Sequence, residues 1–253
     1  MSVKLSFQDG SKLNQIFDAI VAIEAEVDLK LDEKGLTVRQ MDNERVAMID
    51  LFMKREMFSE YQLPNNEKQV FSVDLHHFKK IKLKDKPVTL TFNLKTAKCL
   101  MQSDSPFGRI FSIPIQTSEV HEVPQIKGEF DATAKITLEV LRNVIEDAKL
   151  CGDCIAVEAS KDRLMFHAKG DLLTYDAEIP LGSDALLELA CKSPCKAHFT
   201  IRHFDETTKA STAVAEIAVV KLKTDFPMLI TLEPKEIKEL ELSYALAPRI
   251  EPE

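Results

Sequence analysis

Glycine is scarce in this 253-residue chain, at seven residues, and none of the seven falls in a pattern that cradles phosphate. The sequence has no HExxH and no GxSxG, and no candidate nucleophile has an evident base beside it, so nothing local points to catalysis. His76 and His77 are adjacent and would point about 100° apart on a helix, a poor chelating pair. His167, His198 and His203 are scattered. No apolar run reaches the roughly 18 residues of a membrane span and no basic leader is evident, which argues for an intracellular protein. Positive charge is short as well. The 33 Lys and Arg against 41 Asp and Glu leave a net charge of −8, which excludes a protein that coats nucleic acid with its whole surface but leaves room for one basic strip.

Cysteine is sparse, with five residues, of which Cys151 and Cys154 form a CxxC and Cys191 and Cys195 a CxxxC. Two such pairs resemble a four-thiolate zinc site, but the glycine-rich knuckles are missing and the second pair is spaced by Lys-Ser-Pro. Reduced, buried thiols act as small apolar residues, and that reading is preferred; no metal and no cofactor are expected.

What is present is a helix-then-strand order that occurs twice. Leu13, Ile16, Phe17, Ile20 and Val21 fall at helical spacing and are followed by an alternating hairpin from Val27 to Asp42. Leu138, Leu141, Val144, Ile145 and Ala148 do the same ahead of Cys154 to Asp171. The period switch from 3.6 to 2 predicts helix, then hairpin, in each half. The stretch VDLHHFKKI also aligns with FTIRHFDET at an offset of 126, putting His77 on His203 and Phe78 on Phe204. The fold class expected is α+β, two tandem copies of a helix-plus-antiparallel-sheet module: residues 1–117, a connector at 118–128 carrying Pro124 and Gly128, and residues 129–253. RIFSIPIQ (Arg109–Gln116) and TYDAEIPLG (Thr174–Gly182) both alternate and reach Ile-Pro, and proline marks an edge strand or its end. Two such edges, represented by Ile113, Ile115, Tyr175 and Ile179, could pair head to tail between copies and close into a ring.

The segment SVDLHHFKKIKLKDKP (Ser72–Pro87) concentrates five lysines and two histidines. On a helical wheel Leu75, Phe78 and Ile81 share one face, while His76, His77, Lys80 and Lys84 fall on the other. The sorted cations are either a solvated face or a strip for backbone phosphates, without aromatics for base stacking.

The sequence as a whole resembles the DNA sliding clamps of the proliferating cell nuclear antigen family, in an archaeal-like form. The residues that carry the likeness are GLTVRQMDNERVAMIDL (Gly35–Leu51), DLHHFKKI (Asp74–Ile81), FPMLI (Phe226–Ile230) and YALAPRIEPE (Tyr244–Glu253). The resemblance implies the processivity clamp fold and a trimeric ring threaded by duplex DNA without sequence preference. It implies no catalysis, and a place in cytoplasm and nucleoid or in a nucleus according to source. A specialised subunit of a heterotrimeric clamp, replicative or checkpoint type, is the alternative. The DNA-facing residues it implies are Lys80 and Lys84, then Lys12, His76, Lys149, Arg202 and Lys209. It further implies a surface that docks peptides of partner enzymes, built from Met41, Val46, Met48, Val123, Pro124, Phe130, Pro227, Ala245, Leu246, Ala247 and Pro248. The partners implied are other clamp subunits, a clamp loader, DNA polymerase, ligase and flap nuclease. Methionine suits such a surface because its thioether repacks readily.

Overall fold

In the computed structural model, which describes residues 2–104, 107–116, 123–126 and 128–249, one element order occurs twice. The first copy runs β1 (Ser2–Phe7), α1 (Gly10–Val21), β2 (Glu26–Asp32), β3 (Gly35–Met41), β4 (Ala47–Lys54), β5 (Glu60–Gln62), β6 (Gln69–Asp74), α2 (Leu75–Lys79), β7 (Val88–Asn93), β8 (Lys98–Ser103) and β9 (Arg109–Pro114). The second runs β10 (Ala132–Thr137), α3 (Leu138–Ala148), β11 (Cys154–Ala159), β12 (Arg163–Lys169), β13 (Thr174–Pro180), β14 (Leu186–Cys191), β15 (Cys195–Thr200), α4 (Ile201–Ser211), β16 (Ala215–Leu222), β17 (Met228–Pro234) and β18 (Leu240–Leu246). The fold is therefore α+β, a duplicated helix-plus-antiparallel-sheet module. Two compact units result: Met1–Gln40, Ile49–Val123 and Glu236–Glu241 make the first, and Met41–Met48, Pro124–Lys235 and Leu242–Glu253 the second. Of the connector expected at 118–128, residues 118–122 and 127 lie outside the described residues.

Strand order repeats along with element order. The first unit carries β5-β1-β7-β8-β9 and β4-β3-β2-β6; the second carries β14-β10-β16-β17-β18 and β13-β12-β11-β15. Each strand thus has a counterpart nine places on, so β9 corresponds to β18 and β4 to β13. The expected edges are where the two Ile-Pro stretches lie: β9 ends one sheet order and β13 another, and the last residues of these strands are Pro114 and Pro180.

Local chemistry sets the helices. Burial works against the charge of Asp9, but hydrogen bonds from Ser11 and Lys12 hold its carboxyl below the usual range. Its side chain accepts from the backbone nitrogens of Ser11 at 2.8 Å and Lys12 at 3.3 Å, an N-cap worth about 1 kcal/mol. From there Leu13, Ile16, Phe17 and Ile20 are buried, with Phe17 edge-on to Phe78 of α2 at 5.7 Å between centroids. Phe7, Leu29, Leu36, Met53, Leu90 and Phe92 close around them. In α3 all five residues expected at the core, Leu138, Leu141, Val144, Ile145 and Ala148, are buried, the larger ones contributing about 1.5–3 kcal/mol each. Helix α4 is less apolar. It buries Thr207, Thr208 and Ser211, whose hydroxyls donate to the carbonyls of His203 (2.9 Å), Phe204 (2.7 Å) and Thr207 (2.6 Å). No buried hydroxyl in this row is left without an acceptor.

Helix α2 departs from the sequence expectation. It covers only Leu75–Lys79, so Lys84 is not on its wheel. Beyond Lys80 the burial alternates, with Ile81 and Leu83 inside and Lys82 and Lys84 outside. That is the period of extended chain, and Pro87 further disfavours helix just ahead of it. The side chains of Ile113, Ile115 and Ile179 require a correction too. They are 4%, 5% and 7% exposed and belong to the interiors of their units, so the outward positions of these strands are others.

Candidate functional site

The basic residues expected on the helices divide by what already neutralises them. Lys12 pairs with Glu236 at 2.8 Å, Lys149 with Asp205 at 2.5 Å, Arg202 with Glu44 at 3.2 Å, and His76 lies 3.2 Å from Asp74. Lys80, Lys84 and Lys209 are exposed and have no ion-pair partner among the described residues. Arg142 is 13% exposed and joins the same cluster through Asp205 at 2.5 Å and through Glu146. Burial pushes the Asp205 carboxyl up, yet the Lys149 and Arg142 contacts outweigh it and hold the group below the usual range. This triad ties α3 to α4 and withdraws two cations from any polyanion.

The apolar residues expected to dock peptides sit largely in the second unit. Met41, Val46, Phe130, Pro227, Ala247 and Pro248 are half-buried and Pro124 is exposed, all in that unit; Val123, half-buried, is the last residue of the first. Met48, Ala245 and Leu246 are 4%, 2% and 1% exposed. Those three offer backing to such a surface and not a contact face. The parts are joined by the Ala247 nitrogen donating to the Val46 carbonyl at 2.7 Å, and by Phe130 edge-on to Phe226 at 5.9 Å. Residues 250–253, where the chain could extend a partner strand, lie outside the described residues.

Two surface patches were not legible beforehand. Beside β9, Phe107 (66% exposed), Ile110 (67%) and Leu100 (40%) are open to solvent. Next to them an open cleft is lined by His77, Lys80, Lys82, Arg109 and Phe111. The Arg109 guanidinium lies 5.7 Å over Phe111, donates through Nη2 to the Lys82 carbonyl at 3.4 Å, and buries Nε with no hydrogen-bond partner among the described residues. Near β13, Leu150, Leu172 and Leu173 are exposed. A Cβ at Gly170 would sit 1.6 Å from the Cys151 carbonyl oxygen, so only glycine permits the turn carrying Leu172 and Leu173 to meet the turn after α3;. On α3 the exposed acids are Glu139, Glu146 and Asp147. Burial, then Asp147, push the Tyr175 hydroxyl up. One patch is apolar and basic, the other apolar and acidic.

The cysteines do not come together as a four-thiolate group among the described residues. The one group of His, Cys, Asp and Glu whose ligand atoms lie within 4.8 Å of one another there is Asp42, Glu44 and His203. Cys99 is buried, which pushes its thiol up to about 12; burial first, then Cys191, push Cys195 to about 11. No described helix is long and apolar enough to cross a membrane.

Residues 2–102 match the family described as proliferating cell nuclear antigen, N-terminal domain. Over its length the chain is similar to the DNA polymerase sliding clamp of Nanoarchaeum equitans, at 26% identity across 98% of this chain and 99% of that one. It is similar at 25% to the DNA polymerase sliding clamp of Pyrococcus furiosus, across 99% and 100%. In three dimensions it matches the crystal structure of proliferating cellular nuclear antigen from Entamoeba histolytica with a TM-score of 0.87 and 17% identity, over 98% and 99% of the two chains. The protein of the same name from Thermococcus kodakaraensis matches at 0.85 and 18%, over 98% and 100%.

Proposed function

We infer that this chain, a DNA sliding clamp of the proliferating cell nuclear antigen family, closes with two further copies into a ring around duplex DNA. It catalyses nothing itself. Its work is to hold DNA polymerase, and through the same docking surface ligase and flap nuclease, on a template they would otherwise leave. A clamp loader is required because a closed ring cannot thread onto circular DNA. Encirclement asks little of the phosphate contacts. Weak, screened ones permit sliding, and tight ones would arrest it. A chain of net charge −8 that pairs Lys12, Lys149 and Arg202 internally and, among the described residues, leaves Lys80, Lys84 and Lys209 unpaired suits that requirement.

The observation that carries the reading is the duplication of strand order. Within the first unit, residues 236–241 meet the end of β4: the Lys54 nitrogen donates to the Glu239 carbonyl at 2.9 Å, and Lys54 pairs with Glu241 at 3.0 Å. Those residues lead into β18. Since β9 is the counterpart of β18 and β13 that of β4, the same union repeated between chains would set β9 of one copy on β13 of the next. The patches beside those strands match in hydrophobicity and oppose in charge, as a head-to-tail contact between identical chains requires.

Light scattering and negative-stain imaging of the purified chain, with primer extension on a singly primed circle and on a linear template with free ends, test this together. The expected outcome is a trimeric ring that, once loaded, extends synthesis on the circle and runs off the linear template. A monomer that forms rings only with a second kind of clamp chain assigns it to a heterotrimer. A monomer without rings and without stimulation refutes the reading.

A further inference from the structure

His203 is 5% exposed, and among the described residues its imidazole makes no hydrogen bond, while two carboxylates lie within 4 Å of it. Its Nε2 lies 3.6 Å from Oε2 of Glu44 and 3.9 Å from Oδ2 of Asp42. Those separations are too long for hydrogen bonds. They are close to the ~3.4 Å between neighbouring donor atoms of a tetrahedral site whose bonds are about 2.1 Å. We propose that Asp42, Glu44 and His203 form a binding site for a divalent transition metal, Zn2+ in particular, held by three protein ligands and completed by water.

Each ligand is positioned by chemistry independent of the metal. Asp42 spends Oδ1 on the backbone nitrogens of Val46 and Ala47, both at 2.8 Å, which fixes the carboxylate and leaves Oδ2 facing the imidazole. The Asp42 side chain is 10% exposed, so its free oxygen has little water to satisfy it. The turn between β3 and β4 reverses through Arg45 in the left-handed region, φ 58°, with the Arg45 nitrogen donating to the Asp42 carbonyl at 3.0 Å. That turn carries Glu44 to α4. Residues 41–48 and α4 belong to the same unit. His203 is held by the helix, one residue before the buried Phe204. An imidazole with two carboxylates selects zinc, cobalt or manganese over magnesium, which prefers oxygen donors and keeps its water. One feature opposes a cation: Arg202 donates to Oε1 of Glu44 at 3.2 Å. Both partners of that pair are more than half exposed, so it is a weak competitor, and it leaves Oε2 for the metal;.

The test is titration of the chelator-stripped, full-length protein with Co2+, a spectroscopic substitute for Zn2+, followed by displacement with Zn2+. The expected result is one Co2+ per chain with visible absorption of a nitrogen–oxygen tetrahedral site, displaced by Zn2+ and not by millimolar Mg2+. Glu44→Gln should weaken binding at least tenfold, and Arg202→Ala should tighten it several-fold. Glu44 is exposed and contributes to no core, so its variant remains interpretable if His203→Gln fails to fold. The proposal is overturned by the absence of saturable binding up to about 1 mM Co2+. It is equally overturned if binding survives Glu44→Gln with near-ultraviolet thiolate charge transfer, which would place the metal on the cysteines.

Discussion

Reversing the charge of Arg109 should take the assembly apart. Its guanidinium has a buried Nε with no partner among the described residues, a second nitrogen 3.4 Å from the Lys82 carbonyl, and an open cleft in front of it. If β9 docks on β13 of a neighbour, the acids of α3, Glu139 first, supply the missing acceptor. Glu139 has no ion-pair partner among the described residues. Removing one member of a hydrogen-bonded interfacial charge pair costs about 2–5 kcal/mol. At 1.4 kcal/mol per tenfold, even the lower figure weakens each interface about 30-fold. Arg109→Glu adds like-charge repulsion to that penalty. Sedimentation equilibrium over a hundredfold dilution should show the variant dissociating at concentrations where the parent chain is fully assembled. Glu139→Arg in the same chain should restore assembly, and thermal melting should change little, because among the described residues the Arg109 side chain makes one weak hydrogen bond and one contact with the Phe111 ring within its own unit. An Arg109→Glu chain that assembles as tightly as the parent would refute the β9–β13 contact.

Three further outcomes can be checked. Lys84→Glu with Lys209→Glu should lower clamp-stimulated synthesis and flatten the salt dependence of the DNA-binding constant, by about 0.9 in log–log slope for each phosphate no longer neutralised, while light scattering shows assembly intact. Asp205→Asn should cost about 1.5–3 kcal/mol in denaturant melts near pH 7, the scale of hydrogen bonds to charged groups. Because the Asp205 carboxyl is held low, its contribution is complete above the ordinary aspartate value near 4 and is lost as pH falls through the lower folded value, so the two stability curves should converge in acid;. Met41→Lys, at a half-buried position in the second unit, should weaken capture of a clamp-binding peptide at least tenfold in calorimetry, with the oligomer unaffected.

Much of the fold was legible because helices and strands announce themselves by period. The five buried residues of α3 read directly from their spacing, and both hairpins fell where alternation put them. Helix α2 was overextended because Ile81 fits both periods; only Leu83, buried two residues later, separates them, and burial is a tertiary fact. The same limit explains the edge strands. Alternation distinguishes two faces but not which one meets the core, and Ile113 and Ile179 proved to be the inner set. Pairings across long separations left no local mark. Lys149 and Asp205 are 56 residues apart and Glu44 and Arg202 are 158 apart, so the sequence could count the cations without showing which were spoken for. His203 and His77 align, yet one is buried and the other exposed, a divergence between repeats that the alignment concealed.

The prolines that finish β9 and β13 have a bearing on how the chain avoids runaway self-association. A polypeptide with two open sheet margins that fit each other is a recipe for endless stacking, since every addition exposes a fresh margin. Pro114 and Pro180 lack the amide hydrogen that the next rung would need, which limits any ladder between chains to a few residues. A short ladder is weak enough to part under modest force and cannot lengthen by slippage. If copies join along β9 and β13, the same two rings would discourage fibre growth and leave the seam reversible.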